Sequence, residues 1–222
     1  MGRGPQGYEV RADVLTAGEL ARLASAVGRA SGRSRAGTRH LMGNSVVAEL
    51  AGDPRLLAMA GSALGASAVP YRATLFDKSP GSNWLVVWHQ DTALPLRVRR
   101  YVPGWGPWSV KAGILYAHAP ASALRRVVAL RVHLDDSLRE NGPLRVLPGS
   151  HTMGVLSDSA IRAAVAAGQP QDCTVRRGGV IMMWPLLVHA SSKSMIEAPR
   201  RVLHIEYATS LRLDPLLELE VA

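Results

Sequence analysis

The chain has 222 residues, 47% hydrophobic and 19% charged, a balance that supports a folded core of one domain and excludes intrinsic disorder. Its formal net charge of +9 favours anionic partners: a phosphorylated or carboxylated substrate, nucleic acid or a membrane surface. The arginines, however, fall in short scattered pairs and form no basic tail, and no apolar run approaches the ~20 residues of a membrane span.

In chain order, the N-terminal part reads as helical. Residues 1–5 have no signal-peptide core, and the single cysteine, Cys173, has no disulfide partner and no zinc-type spacing, so a reducing, cytoplasmic setting is expected. Thr16 and Glu19 have capping-box spacing ahead of Leu20, Leu23, Ala24 and Val27 at helical period. Ser31 to Asn44 is Gly/Ser/Arg-rich and reads as a loop. Asp53 and Pro54 then suit the cap and first position of a second helix that carries Leu56, Leu57 and Met59 and ends at Gly61 to Gly65.

From Val69 the pattern turns to strands, expected at Tyr71–Phe76, Trp84–Trp88, Ile114–Tyr116, Val127–Leu134, Leu144–Leu147, Cys173–Val175, Val180–Trp184 and Val202–Tyr207. A turn at Ser79-Pro80-Gly81-Ser82 and a helical insert from Ser157 to Ala167 interrupt them. Helices followed by many short strands, with no βαβ alternation, predict a β-sandwich or barrel with helices outside.

His89-Gln90-Asp91 closes an apolar strand. Residues i and i+2 of a strand share a face, so His89 and Asp91 aim two ligands at one point. A distant histidine would complete a two-His, one-carboxylate set, which leaves coordination positions open and marks non-haem iron(II) oxygenases. His133-Leu134-Asp135 repeats the spacing, so the motif alone decides nothing. Gly178 to Trp184 reads as a turn and buried strand that leads to His189, then Ser191, then Arg200; an arginine there suits the far carboxylate of a keto-diacid.

Several stretches together resemble the phytanoyl-CoA dioxygenase family: Lys78-Ser79-Pro80-Gly81, Trp88-His89-Gln90-Asp91, Leu134-Asp135-Asp136, Glu140-Asn141-Gly142-Pro143-Leu144, Leu147-Pro148-Gly149-Ser150-His151, Gly178-Gly179, and His189 through Arg200. They run in family order over about residues 70–208. The resemblance implies a mainly β fold with flanking helices, a cupin-like double-stranded β-helix or jelly roll. The whole chain, 1–222, would be one oxygenase domain, with a helical part over about 1–68 and a core over about 69–208.

It further implies an Fe(II)- and 2-oxoglutarate-dependent dioxygenase that uses O2 to oxidise a C–H bond of a small molecule, releasing succinate and CO2, with ascorbate as a supporting reductant. His89, Asp91 and His189 correspond to the iron ligands, Arg200 to the 2-oxoglutarate clamp, Ser191 to its assisting hydroxyl, and Gln90 to a position near the cosubstrate. Halogenating relatives lack the carboxylate, so Asp91 argues for hydroxylation or a related oxidation.

Arg201 competes with Arg200 for the clamp; strand parity groups Arg200 with His204 and Glu206, which favours it for a polar interior. Arg131 shares a face with His133 and points toward cosubstrate or substrate. His151 competes with His189 but lacks a downstream arginine at clamp spacing. Tyr101, Trp105, Trp108 and Tyr116 form either a lid or core, and Arg72, Lys78 and Arg97 are candidate anion contacts that also read as surface charges. The substrate is expected to be small, with an anionic one favoured by charge; nucleic acid and membrane are not expected partners. The rival readings are a non-catalytic metal-binding jelly roll and a nucleic-acid-directed oxygenase.

Overall fold

The computed structural model describes residues 6–28, 37–78 and 83–222. Its helices are α1 (Ala17–Gly28), α2 (Ser45–Ala51), α3 (Pro54–Leu64), α4 (Ala121–Leu124) and α5 (Asp158–Ala167). Its strands are β1 (Tyr8–Arg11), β2 (Val69–Lys78), β3 (Val86–His89), β4 (Ala93–Leu96), β5 (Trp108–Lys111), β6 (Ile114–His118), β7 (Val127–His133), β8 (Leu144–Val146), β9 (Gln171–Cys173), β10 (Val180–Met183), β11 (His189–Ser191), β12 (Arg200–Ala208), β13 (Arg212–Asp214) and β14 (Leu217–Glu218).

The helix caps follow local chemistry. Thr16 Oγ1 accepts from the Glu19 N–H at 3.3 Å, and the Glu19 carboxylate accepts from the Thr16 N–H at 2.7 Å, the reciprocal bonds of a capping box. Asp53 accepts from the Arg55 N–H ahead of α3, and Gly65 closes that helix in the left-handed conformation. Ser157 caps α5 through the Ala160 N–H. α2 was not expected: Asn44, read as loop, accepts from the Val46 and Val47 N–H groups and starts it. Part of the expected 31–44 loop and the turn at 79–82 lie outside the described residues.

Two antiparallel sheets form a jelly roll. The larger has the order β1-β10-β7-β12-β2, the smaller β3-β11-β8-β9, and a three-stranded sheet β4-β6-β5 stands beside them. The larger sheet has two unlike faces. Val128, Leu130 and Val132 of β7, with Leu203, Ile205 and Tyr207 of β12, pack against α1, α2 and α3 through Leu20, Leu23, Val47 and Leu56. Toward the smaller sheet, one end of the interior is apolar, with Ala129, Ile181 and Met183 against Leu144 and Val146. The other end is polar and carries the site.

Several strand expectations shift, among them Trp84–Trp88, which lies at Val86–His89. The expected Cys173–Val175 strand lies at Gln171–Cys173, with Val175 left as an isolated bridge to Ser137. The last long strand begins at Arg200 rather than Val202, which puts Arg200 in the ladder opposite Lys78. Trp105 is core, and Trp108 packs against the same cluster beneath the small sheet, whereas Tyr101 is 94% exposed. Among the described residues, no helix is long and apolar enough to cross a membrane.

Candidate metal and anion site

His89 ends β3, Asp91 follows it, and His189 opens β11, directly opposite His89 in the ladder. The ring centroids of the two histidines are 4.2 Å apart. Each Nδ1–H donates to the carbonyl two residues earlier, His89 to Val87 at 2.8 Å and His189 to Leu187 at 2.9 Å. That fixes the tautomer and leaves each Nε2 lone pair free. His89 Nε2 lies 3.6 Å from Asp91 Oδ1 and His189 Nε2 lies 3.5 Å from Asp91 Oδ2. Those spacings are too long for hydrogen bonds. One ligand atom from each residue lies within 4.8 Å of the others, and these three form the described cluster suited to a metal ion.

The electrostatics suit a cation between them. Burial pushes the His189 imidazole down to about 4, so it is a neutral ligand at neutral pH. Burial alone would raise the Asp91 carboxyl, but His189 and His89 outweigh it and hold the group well below the usual carboxylate range.

Backbone bonds set this geometry. The Asp91 N–H donates to Pro185 O at 2.9 Å, which ties the end of β3 to the turn that launches β11. Ser150 accepts from the Val188 N–H at 2.8 Å and donates to Leu147 O at 2.7 Å, so the Leu147-Pro148-Gly149-Ser150 turn anchors the residue before His189. Gln90 faces the other way. Its amide nitrogen donates to Gly154 O and Leu186 O, and its oxygen accepts from the Leu156 N–H. Both amide hydrogens are thereby occupied, and Gln90 acts as a brace between the two histidine-bearing segments.

A cavity of about 460 Å³ opens beside the triad. Its floor holds three buried cations, Lys78, Arg131 and Arg200. Arg200 Nε donates to Asn141 O at 3.2 Å and its Nη2 to Ser191 Oγ at 3.2 Å. Lys78 Nζ donates to Ser191 Oγ at 2.8 Å and to Ser192 O. Ser191 in turn donates to Gly142 O at 2.9 Å. The Asn141-Gly142 turn thus presents two carbonyls to the clamp. Gly142 has φ of 67°, and a Cβ there would lie 2.3 Å from Ser192 O, so only glycine fits. Arg131 donates to His204 Nδ1 at 3.1 Å, and its Nε has no partner.

Burial, with like charges added, lowers Lys78 to about 7 and Arg200 to about 9. Asp91 is the one carboxylate lining this cavity among the described residues. Three buried cations with so little compensation are costly unless an anion joins them.

The other candidates sort out by position. Arg201 faces away from the cavity and grips Asp135 through Nε and Nη2, both at 2.8 Å. His133 is fully buried with neither ring nitrogen hydrogen-bonded, and burial drives it down to about 3. His151 is buried against the Gly7 backbone, outside the triad. Arg97 is half exposed and pairs with Glu218, while Arg72 pairs with buried Glu206. Lys78, read as a surface charge, is 1% exposed. Its parity with Phe76 and Thr74 on β2 was the available signal. Cys173 is a buried thiol pushed up to about 12.

Rat phytanoyl-CoA dioxygenase domain-containing protein 1 (Rattus norvegicus) is 32% identical over 35% of this chain and 32% of its own length. L-proline trans-4-hydroxylase of Streptomyces griseoviridis is 25% identical over 74% of this chain and 63% of its own length. The chain therefore spans less than two thirds of the curated relatives it matches. EctD from S. alaskensis, solved with 2-oxoglutarate and 5-hydroxyectoine, shares the fold with a TM-score of 0.68, at 20% identity over 92% of this chain and 72% of that one. A family model described as phytanoyl-CoA dioxygenase matches residues 6–202, most of the chain, and the protein belongs to that family.

Proposed function

We propose that the protein is a 2-oxoglutarate-dependent non-haem iron(II) oxygenase that oxidises a C–H bond of a small molecule. The observation that carries this reading is the pairing of two features. Two imidazole nitrogens and a carboxylate converge on one point, and beside them lies a buried cationic pocket.

The donor set fits the metal: two imidazole nitrogen ligands and one carboxylate suit iron(II) and leave coordination positions open. His89, Asp91 and His189 hold it. When bound, iron(II) supplies dioxygen activation coupled to oxidative decarboxylation of 2-oxoglutarate, with succinate and CO2 as co-products.

The chain's own residues bind and orient. Arg200 and Lys78 grip the far carboxylate of 2-oxoglutarate, Ser191 holds both cations in place, and Arg131 faces the cosubstrate from the floor. Phe76, Trp84, Val86 and Leu144 line the rest of the pocket and exclude water from it. Gln90 positions His89 and Asp91 without touching the cosubstrate. On this reading the chain is one oxygenase unit, its helices bracing the sheet from outside, and a reducing cytoplasm suits Cys173.

Succinate formation from 2-oxoglutarate with iron(II), ascorbate and air is the test. Wild type forms succinate, His89→Ala forms none, and Arg200→Ala needs at least about tenfold more 2-oxoglutarate, as expected for a lost charge-assisted pair. Metal and 2-oxoglutarate binding without any succinate would favour a non-catalytic metal-binding jelly roll instead.

A further inference from the structure

A second cavity, about 820 Å³, meets the triad from the opposite side. Phe76, His89 and Asp91 line both cavities and form the partition between them. The second one is also cationic: Arg39, Arg72 and Lys111 reach it, with Thr74, Thr92 and His118. Arg72 is neutralised by Glu206 and donates to Ala93 O at 3.2 Å. Neither Arg39 nor Lys111 forms an ion pair with a carboxylate among the described residues, although Asp91 and Glu206 act on the Lys111 ammonium from further off and raise it. Nor does their local sequence offer a carboxylate. No acidic residue occurs between Glu19 and Glu49, or between Asp91 and Asp135, the stretches that carry Arg39 and Lys111.

Both cations are held in place. Thr38 is bridged to Leu75 by two backbone bonds, Thr38 N–H to Leu75 O at 2.9 Å and Leu75 N–H to Thr38 O at 2.8 Å. Gly37 makes that approach possible: at φ 104°, a Cβ would lie 1.9 Å from Leu75 O. On the other side of Arg39, the His40 Nε2 and the Tyr116 hydroxyl are hydrogen-bonded at 2.9 Å. Arg39 is thus pinned from both flanks. Lys111 ends β5, and its Nζ sits 4.9 Å from the centre of the same Tyr116 ring. The two cations are close enough to feel each other. After burial, the Arg39 charge is the largest influence that lowers the Lys111 ammonium.

Resting on the oxygenase reading of the triad, we propose that the substrate carries a carboxylate or phosphate, which Arg39 and Lys111 hold in this second cavity. The anion then anchors one end of the substrate while its reacting C–H lies toward His89 and Asp91. The two cavities divide the labour: one cation set for the cosubstrate, a separate set for the substrate.

The test uses the full-length protein loaded with nickel(II) and saturating 2-oxoglutarate, so that the first cavity is filled. Two probe pairs are titrated by ligand-observed NMR: benzoate against benzamide, and phenyl phosphate against phenol. At least one anion is expected to bind about tenfold or more tightly than its neutral mate, the weight of one charge-assisted pair. That preference is expected to vanish in Arg39→Gln and in Lys111→Met and to persist in Arg97→Gln, whose side chain pairs at the surface. The benzoate and phenyl phosphate arms separate a carboxylate from a phosphate site. Equal binding of anions and neutral mates to wild type, or an anion preference that survives both substitutions, overturns the proposal. Failure of the oxygenase reading looks different: nickel and 2-oxoglutarate would not bind in the loading step, which is measured before any probe is added.

Discussion

Val128, Leu130 and Val132 alternate along one strand with Ala129, Arg131 and His133, yet the two sets inhabit different chemistry. The first set faces helices and is dry, apolar packing. The second faces the interior, where His133 and Arg131 sit opposite Val202 and His204 of β12 and extend to Phe76 and Thr74 of β2. All seven residues of β7 are buried, so burial does not distinguish the faces. What distinguishes them is whether a partner exists: the outer face is satisfied by the protein itself, whereas the inner face holds cations and imidazoles that an outside ligand would complete. The outer face is therefore expected to govern stability and the inner face binding.

Substitutions can break that division, the largest effect first. His189→Ala is expected to abolish metal binding, read by equilibrium dialysis with iron(II) under anoxia, with the thermal midpoint little changed. Leu130→Ala is expected to do the reverse. Truncating a fully buried leucine costs about 2–5 kcal/mol, or roughly 5–15 °C in Tm for a chain of this size, while the folded fraction still binds one metal. Arg200→Ala is expected to weaken 2-oxoglutarate binding by about 10- to 100-fold in calorimetry. Its neighbour supplies the contrast: Arg201→Ala loses a partly buried pair with Asp135 that lies outside the cavity, about 1 kcal/mol, and leaves 2-oxoglutarate affinity unchanged.

A pH effect sharpens the comparison further. Burial and the charges of Arg200 and Arg131 lower Lys78 to about 7 from its ordinary 10.5. Between those values the unfolded chain binds more protons at this group than the folded one, so its contribution to ligand-free stability rises with pH across that window. An anion in the pocket favours the charged form. The affinity for 2-oxoglutarate is therefore expected to fall as pH rises above about 7, with proton uptake on binding, and Lys78→Met is expected to flatten that slope. Calorimetry in buffers of different ionisation heat measures both.

Much of this was legible in the sequence. The spacing of His89 and Asp91 and the parity of Arg200 with His204 and Glu206 follow from the two-residue period of a strand, whereas His189 was singled out by the family resemblance. The caps at Thr16, Asp53 and Ser157 were legible because they are local. The misses have physical reasons. Val46 and Val47 have low helix propensity and hid α2, while β4, β5 and β11 are three or four residues long and lie beside Pro or Gly turns. Gln90 was named for the family position it matches, near the cosubstrate. Its bonds to the carbonyls of Gly154 and Leu186, which come from distant turns, could not be read from local sequence. Lys78 resembled a surface charge because only its parity with Phe76 and Thr74 hinted at the interior, and Arg39 and Lys111 went unremarked because nothing in local sequence reports that they line one cavity.

The most direct test of the inner-face account is an anaerobic titration of 2-oxoglutarate into wild-type protein with and without iron(II), and into His189→Ala. The expected result is that iron tightens 2-oxoglutarate binding by about tenfold or more, since metal and clamp hold opposite ends of one ligand, and that His189→Ala loses this gain but keeps weak binding through Arg200 and Lys78. Equal affinity with and without iron in wild type, or no binding in either state, would contradict the account.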